Sequence, residues 1–318
     1  MTENILIGLR VVPLVFIIVL GAVLEKTRFI DEDAVKGMKK IVLNLSLPSL
    51  IFLNFLRSDL KPESLLLSAF IFGACMIGLG VGFLFKKLQR SSNQFYPSVY
   101  SSFVTGLLGY PFFISVFGSD HLYKLAILDI GNLLFIFTVL SMFLDSVRCG
   151  QTGNNRIKFS DHIKNMVKSP IMIGLLFGIL ISLTGIGGNV ESHPITSSFI
   201  SALTMISSTT VPIILLVIGY ELHFDIKQFV EPISAVIMRI LLMLFLAYLL
   251  NTYVVERLFK LDEMYKMAVY TMFVLPPTFV IPVFIEGECE EKRFVLNFFS
   301  IHVIISVITF MILLMLVR

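Results

Sequence analysis

The chain has 318 residues, of which 56% are hydrophobic and only 15% are charged, and its net charge is +3. A soluble globular protein carries about one quarter charged residues, so this composition excludes that class and indicates a polytopic membrane protein. The small net charge gives no indication of nucleic-acid binding. The three cysteines, Cys75, Cys149 and Cys289, are too scattered to predict a disulfide framework or a metal site.

Apolar runs of about twenty residues predict an all-α protein with ten membrane-spanning helices. Their approximate limits are 5–24, 39–56, 64–86, 97–117, 122–145, 169–187, 195–219, 232–254, 265–285 and 294–316. The longest polar stretch, residues 146–168, separates five spans from five spans. We therefore divide the chain into a first half (1–145), a loop (146–168) and a second half (169–318). No cleavable signal peptide is evident before the first span.

Lysine and arginine in the loops predict the orientation of the spans. Loops after odd-numbered spans carry more than twice as many of these residues as loops after even-numbered spans. The loops after even-numbered spans have only Arg57, Lys61, Lys124, Arg257, Lys260 and Lys266, and Arg318 follows the last span. The positive-inside rule then places the loop 146–168 in the cytoplasm and both termini outside. We expect a multi-pass protein of the plasma membrane.

Two of the apolar spans are interrupted near their middle. The fourth contains Thr105-Gly-Leu-Leu-Gly109-Tyr-Pro111 and the ninth contains Leu275-Pro276-Pro277-Thr278-Phe-Val-Ile-Pro282. Lipid cannot satisfy the backbone groups that a broken helix frees, so such breaks occur where they line a protein-enclosed cavity. Breaks in corresponding spans of two halves are typical of transporter binding sites.

The prolines indicate an internal repeat. Pro13 and Gly21 in the first span have the same spacing as Pro170 and Gly178 in the sixth. Pro48, in the second span, corresponds to Pro212 in the seventh, and Pro111, in the fourth, corresponds to Pro276 in the ninth. Each half has five spans, an odd number, so two homologous halves enter the membrane from opposite sides. We expect an inverted repeat with the substrate site near the midplane and alternating access as the mechanism.

The broken spans supply the candidate binding residues. Glycine tolerates non-helical backbone and proline suits the first turn of a new half-helix, whose free N–H groups and partial positive charge attract an anion. The predicted substrate-binding residues of the two breaks are Thr105, Gly106, Gly109, Tyr110, Pro111 and Phe112, with Pro276, Pro277 and Thr278. A simple packing kink is the alternative for either break.

Asp129 is the only carboxylate well inside a span, and Asn132 lies one turn later on the same helix face. An ionisable group at that depth is a functional hypothesis by default, so Asp129 is a candidate proton carrier. With Asn132 it can alternatively coordinate a cation. A structural role, bonded to free N–H groups of the break, is the third possibility.

Other polar residues in the spans have weaker signals. Arg239 can attract anions, pair with a carboxylate or extend to the interface, and His302, with Asn297 and Ser300, can join a polar path or bond a neighbouring helix. Asn44 and Ser46 before Pro48, and Thr209 and Thr210 before Pro212, can line a cavity or bond back to the preceding turn. Gly78, Gly80 and Gly82 indicate helix packing, and Gly174 and Gly178 indicate packing or a dimer face.

Several of these segments resemble the auxin efflux carrier family, the prokaryotic permeases related to plant PIN-formed auxin carriers. The matching segments occur in order along the chain: Gly21 to Phe52 with Leu47-Pro48-Ser49-Leu50-Ile51-Phe52, the Thr105–Pro111 segment, Val211-Pro212 to Gly219, and Leu275-Pro276. The resemblance implies a ten-helix fold like that of bile-acid symporters and sodium/proton antiporters, with helices four and nine crossing. It also implies small carboxylate anions as cargo and a homodimer. Val104 stands where the family usually has an asparagine.

These observations predict a secondary-active transporter of small organic anions, driven by the proton gradient or the membrane potential. The alternatives are a sodium-coupled bile-acid-type symporter and a receptor without transport. A sodium-coupled carrier needs an acidic and amide-rich cage, for which only Asp129 and Asn132 are available. A receptor needs a larger cytoplasmic module than the loop 146–168. Since the sequence has no phosphate loop, metal cluster or catalytic triad, we expect no cofactor, ATP-driven pump or enzyme.

Overall fold

The computed structural model describes residues 12–56, 62–152, 164, 168–184, 194–222, 230–285 and 289–316. All regular secondary structure within these ranges is helical. Seven segments of the described chain are long and apolar enough to cross a membrane: Glu32–Leu56, Leu65–Gln89, Tyr96–Phe117, Ser119–Val147, Thr196–Tyr220, Val230–Leu258 and Glu290–Leu314. The predicted all-helical membrane class is therefore confirmed, while ten spans and an inverted repeat remain predictions.

The α-helices are numbered here in chain order. They are α1 (Val12–Lys26), α2 (Glu32–Ile41), α3 (Leu47–Leu56), α4 (Pro62–Gln89), α5 (Tyr110–Phe117), α6 (Leu122–Phe135), α7 (Ser141–Thr152), α8 (Pro170–Leu183), α9 (Pro194–Ser208), α10 (Thr210–Tyr220), α11 (Val230–Leu249), α12 (Glu263–Phe273) and α13 (Glu290–Leu316). The described residues also contain four π-helical segments. Val42–Ser46 and Ile136–Leu140 join consecutive helices, Thr105–Gly109 precedes α5, and Leu250–Leu258 continues α11.

Three of the ten predicted spans are not among the seven. The first corresponds to α1, and its predicted start at residue 5 lies outside the described residues. The sixth corresponds to α8, a shorter apolar helix. The ninth contains α12, which ends where the predicted break begins. Arg57, Lys61, Arg156, Lys158 and Lys227, which contribute to the predicted orientation, also lie outside the described residues.

Local sequence explains where several helices begin. Asp31 caps α2, since its Oδ1 accepts a hydrogen bond from the Ala34 N–H at 2.7 Å, and Asp262 caps α12 by accepting from the Met264 N–H at 2.9 Å. A carboxylate at this position satisfies one of the free N–H groups of the first turn. Pro170 is at the first position of α8, where its missing N–H costs no hydrogen bond.

The chain forms two compact units, each of which contains parts of both sequence halves. The first unit comprises residues 1–62, 106–126 and 165–222, and the second comprises 63–105, 127–164 and 223–318. The fourth span passes from the second unit to the first between Thr105 and Gly106. This grouping describes packing, and the division of the sequence into two repeats is a separate prediction.

Glycines set the closest helix contacts of the first unit. A Cβ atom on Gly21 of α1 would collide with the Leu216 carbonyl of α10, and one on Gly219 of α10 would collide with the Ile18 carbonyl of α1. Gly174 of α8 packs against the backbone of Pro48 in α3, and Gly178 packs against Phe55. Gly174 and Gly178 therefore lie inside a packed helix pair, and the suggested dimer face at these residues is wrong.

The second unit contains comparable contacts. Gly131 of α6 packs on the Ser68 carbonyl of α4, and Gly78 and Gly82 of α4 pack on the carbonyls of Tyr100 and Pro97. These glycines bring α4 against the irregular backbone of the fourth span. The packing role predicted for Gly78 and Gly82 is confirmed, whereas a Cβ on Gly80 would meet no atom within 4 Å.

Replacing Gly219 by alanine is expected to destabilise the protein, because the added methyl group overlaps backbone atoms of α1 that cannot move independently. Overpacking of this kind costs about 1–3 kcal/mol. The matched control is Gly37→Ala, since Gly37 is on the exposed face of α2 and a Cβ there meets no atom within 4 Å. Thermal unfolding in detergent should show a lower melting temperature for Gly219→Ala only. Equal melting temperatures would contradict close packing of α1 on α10.

Candidate functional site

The break predicted in the ninth span is present. Helix α12 ends at Phe273, residues 274–280 are not helical, and a single 3₁₀ turn follows at Ile281–Phe284. Pro276, Pro277 and Thr278 are buried in this break. A half-helix was predicted after this break. In the described residues only the 3₁₀ turn Ile281–Phe284 is present, so the row of free N–H groups that a longer half-helix would offer is not seen.

The break in the fourth span lies earlier than predicted. A 3₁₀ turn at Tyr96–Tyr100 leads into non-helical backbone at residues 101–104, and helical backbone resumes at Thr105. Gly109 has ordinary helical dihedral angles of φ −65° and ψ −47°, so the permissive backbone expected of it is not used. Ser102 instead has a positive φ of 54°, which is uncommon for a residue with a side chain.

The two breaks are hydrogen-bonded to each other within the second unit. The Val104 N–H donates to the Pro276 carbonyl at 3.0 Å, and the Thr278 N–H donates to the Ser102 hydroxyl oxygen at 3.4 Å. We call residues 101–104 and 274–278, taken together, the crossover. Val104 thus contributes a backbone donor to the crossover, although it lacks the side-chain amide usual in the resembling family.

Arg239 of α11 is the largest fully buried side chain of the second unit, with 0% of its surface exposed. Its Nη1 donates to the carbonyls of Val99 at 2.6 Å and Ser101 at 3.1 Å. Its Nη2 donates to the carbonyls of Ser102 at 2.7 Å and Leu275 at 3.3 Å. The guanidinium therefore binds backbone carbonyls of both breaks, and the suggestion that it extends to the membrane interface is wrong.

The charge of Arg239 is neutralised by dipoles and not by an ion pair. Among the described residues, no carboxylate oxygen lies within 4.0 Å of the guanidinium, and its Nε has no hydrogen-bond partner. The Phe103 ring lies 5.5 Å from the guanidinium carbon and adds a cation–π contact. A buried positive charge is thus held at the crossover by carbonyl oxygens and an aromatic ring.

Asn132 of α6 fastens the other side of the fourth-span break. Its Oδ1 accepts from the Phe103 N–H at 2.9 Å, and its Nδ2 donates to the Phe103 carbonyl at 2.9 Å. The same Nδ2 lies 3.4 Å from the Thr105 hydroxyl and 2.8 Å from Asp129 Oδ1. The structure brings Thr105, Asp129 and Asn132 together. The structural alternative was stated for Asp129, but it is the Asn132 amide that bonds to the break.

His302 of α13 contacts the ninth-span break through a second side chain. Its Nδ1 is 2.9 Å from the Ser306 hydroxyl, which donates to the Val274 carbonyl at 2.6 Å. Its Nε2 is buried without a hydrogen-bond partner in the described structure. Ser306 was not among the residues singled out from the sequence, and the only available signal was its position one turn after His302.

The remaining predicted site residues belong to the first unit. Gly106 and Gly109 are in the π-helical segment before α5, and Tyr110, Pro111 and Phe112 form its buried first turn. Asn44 is exposed and donates back to the Lys40 carbonyl at 2.8 Å.

Ser46 is fully buried, and its hydroxyl oxygen lies 2.9 Å from that of Thr209. The Thr209 hydroxyl also donates to the Ile206 carbonyl at 2.7 Å. Asn44 and Thr209 thus both bond back to the preceding turn, as the alternative to a cavity lining predicted. The contact between the Ser46 and Thr209 hydroxyls links the segment before α3 to the residue before α10. Thr210 is fully buried, and its hydroxyl has no partner in the described structure.

The second unit also has an open groove of about 580 Å³ between α4 and the region where α11 continues as a π-helix. Residues including Ala69, Gly73, Leu246 and Tyr253 line it, and its surface is almost entirely apolar. Such a lining suits lipid chains better than a charged cargo. Within the described chain, no group of three or more His, Cys, Asp or Glu residues is placed to hold a metal ion.

Comparison with known proteins identifies a transporter family. A family model described as "Membrane transport protein" matches residues 7–316. The chain is 27% identical over 225 residues to an "uncharacterized transporter" of Methanothermobacter thermautotrophicus, an alignment that covers 67% of each chain. It is 28% identical over 225 residues to another "uncharacterized transporter", from Methanocaldococcus jannaschii, covering 68% of this chain and 70% of the relative. Because the family model spans nearly the whole chain, this protein belongs to the membrane transport protein family, which is the auxin efflux carrier family.

Proposed function

We propose that this transporter is a secondary-active carrier of small carboxylate anions that works by alternating access. The observation that carries the proposal is the buried Arg239 guanidinium, which sits at the crossover without a carboxylate within 4.0 Å among the described residues. In a low-dielectric interior, a charge compensated only by dipoles attracts an anion over several ångströms.

The crossover also offers groups that bind a carboxylate directly. Thr278 is buried in the ninth-span break. Among the described residues, its backbone N–H and hydroxyl make only long contacts, at 3.4 Å to Ser102 and 3.4 Å from the Val280 N–H. Long hydrogen bonds are weak and are readily exchanged for a charge-assisted bond to a ligand. We propose that Thr278, with Pro276 and Pro277, contributes to the cargo site.

The other predicted binding residues remain part of the proposal. Thr105 is buried beside Asn132 in the second unit. Gly106, Gly109, Tyr110, Pro111 and Phe112, together with Asn44 and Ser46, lie in the first unit. We propose that these residues take part in cargo binding, as predicted from the sequence.

We propose that Asp129 couples transport to protons. It is 2% exposed, and its Oδ1 accepts a hydrogen bond from Asn132, whose amide is bonded to the break at Phe103. A buried carboxylate in that position can change charge and transmit the change to the crossover through one shared amide. A permanent negative charge near an anion site would repel the cargo, so loss of the proton after cargo release gives a direction to the cycle.

The structure offers less support for the two alternatives. A sodium-coupled symporter uses unwound backbone carbonyls as ion ligands, and here Arg239 donates to carbonyls of both breaks. Asn132, the other candidate ligand, has its amide oxygen bonded to the Phe103 N–H. A receptor needs a larger cytoplasmic module than the predicted loop 146–168. Most of that loop lies outside the described residues.

The membrane arrangement completes the proposal. We propose a plasma-membrane protein with both termini outside and two inverted five-helix repeats, 1–145 and 169–318, joined by the loop 146–168. Homodimer formation is likewise proposed from the family resemblance. Cysteine accessibility on either side of the membrane tests the orientation, and mass determination in detergent tests the dimer.

Removing the Thr278 hydroxyl is expected to weaken cargo binding by about tenfold, which corresponds to about 1.4 kcal/mol. Purified wild type is first screened against mono- and dicarboxylates at two pH values, since a ligand that binds the folded state raises its melting temperature. The affinity of the best ligand is then compared in Thr278→Val and Thr271→Val. Thr271 is the matched control because, within the part of the chain that the structure describes, its hydroxyl donates only to the Met267 carbonyl of α12. Unchanged affinity in Thr278→Val removes Thr278 from the site.

Replacing Asp129 by asparagine is expected to abolish proton-driven accumulation of cargo while exchange of cargo continues. Asparagine keeps an oxygen that accepts from Asn132 but cannot change charge, and exchange needs no net movement of protons. Uptake into proteoliposomes, with and without a pH gradient, measures both activities. Asp145→Asn is the control, since Asp145 is another buried carboxylate of the second unit. Uphill transport at the wild-type rate in Asp129→Asn would exclude Asp129 as the coupling residue.

A further inference from the structure

Four backbone carbonyls point to one place at the crossover. They belong to Val99, Ser101, Ser102 and Leu275, and all four accept hydrogen bonds from Arg239 at 2.6–3.3 Å. Three of these carbonyls come from the fourth-span break and its flanking turn, and the fourth comes from the ninth-span break. Where a membrane helix is unwound, such carbonyls have lost their helical N–H partners and become ligands for cations.

A group of convergent carbonyl oxygens is chemically a site for a hard monovalent cation such as Na⁺. In this chain the position is filled by a side chain. The guanidinium is planar, always charged and carries donors in a fixed fork, so it can bind carbonyls of both breaks at once. Arg239 also has little freedom to leave, because it is fully buried on α11 and its guanidinium carbon lies 5.5 Å from the Phe103 ring.

We propose that Arg239 is a built-in cation that takes the place of a mobile coupling cation at the crossover. The carbonyl cluster is then a cation site that the protein occupies with its own side chain throughout the cycle, so the carrier needs no Na⁺ or K⁺. The part of this inference that concerns coupling, that the carrier needs no Na⁺ or K⁺, rests on the proposed transport function. The carbonyl site itself is tested by stability, which requires neither a cargo nor transport.

The proposal differs from a purely structural role in one respect. A packing residue leaves an apolar cavity when it is truncated, and that cavity has no affinity for ions. Truncation of a built-in cation instead leaves four carbonyls without their donor around the space that the guanidinium filled. Small cations added to the solution should then bind the variant and stabilise it, whereas they should not stabilise the wild type.

The test is the melting temperature of Arg239→Ala and of the wild type in NaCl, KCl, methylguanidinium chloride and choline chloride at equal ionic strength. In choline, Arg239→Ala should unfold at a lower temperature than the wild type. At least one of the three smaller cations should restore about half of the lost melting temperature, with saturation as its concentration rises. The wild type should melt at the same temperature in all four salts.

Met243→Ala is the matched control. Met243 is one turn after Arg239 on α11 and is also 0% exposed, so its truncation creates a buried cavity in the same helix without removing a charge. It should be destabilised equally in all four salts. If Arg239→Ala yields no folded protein, Arg239→Gln is measured instead, since its neutral amide also leaves the carbonyl cluster without a cation and should give the same salt response.

Two outcomes overturn the proposal. The first is a folded Arg239 variant whose lowered melting temperature is the same in all four salts, because this is the behaviour of a packing residue. The second is stabilisation of the wild type by Na⁺ or K⁺ relative to choline, because the protein then has a cation site of its own. A failure to find any transported carboxylate would count against the proposed function and would leave the stability result unchanged.

Discussion

The arrangement of the second unit depends on one constraint, which is that backbone freed from a helix inside a membrane must still be hydrogen-bonded. Three side chains from three helices meet this requirement. Arg239 binds carbonyls of both breaks, Asn132 binds both backbone groups of Phe103, and Ser306 donates to the Val274 carbonyl. Because each break is held from more than one helix, the positive φ of Ser102 can persist despite its conformational cost. The crossover is therefore part of the packed core and not a gap between helices.

Sequence reasoning located one break correctly and the other a turn too late, and the difference has a physical origin. In the ninth span the Pro276-Pro277 pair removes two N–H donors and cannot continue a helix. In the fourth span Pro111 occupies the first turn of α5, where proline is compatible with a helix, and the nearby glycines adopt helical angles. The actual break begins at serines whose hydroxyls bond locally, as when Ser101 donates to the Ser98 carbonyl at 2.9 Å. Such bonds compete with the helix, but they give a weaker sequence signal than proline.

Contacts of the side chains at the crossover could likewise be predicted from the sequence only where they are local. Asp129 and Asn132 were paired correctly because the i, i+3 spacing on one helix fixes their separation. Arg239 reaches carbonyls 140 and 36 residues away in sequence, at Val99 and Leu275, and no local pattern records such a contact. Its burial therefore could not be distinguished in advance from an extended position at the interface. Gly174 and Gly178 were ambiguous for a similar reason, since a small residue permits close packing without specifying the partner helix.

The distinction between a fixed and a titratable charge decides which residue can couple transport to an ion gradient. A ligand shifts a conformational equilibrium only by the difference between its binding free energies in the two states. We propose that the Arg239 guanidinium keeps its charge through the cycle, so that it favours anions before and after cargo release and does not exchange energy with a proton gradient. A coupled group must change its protonation within the cycle. Asp129 is the residue proposed for this role, because it is bonded to the amide that holds Phe103. In the proposed mechanism, selectivity therefore rests on Arg239 and coupling rests on Asp129.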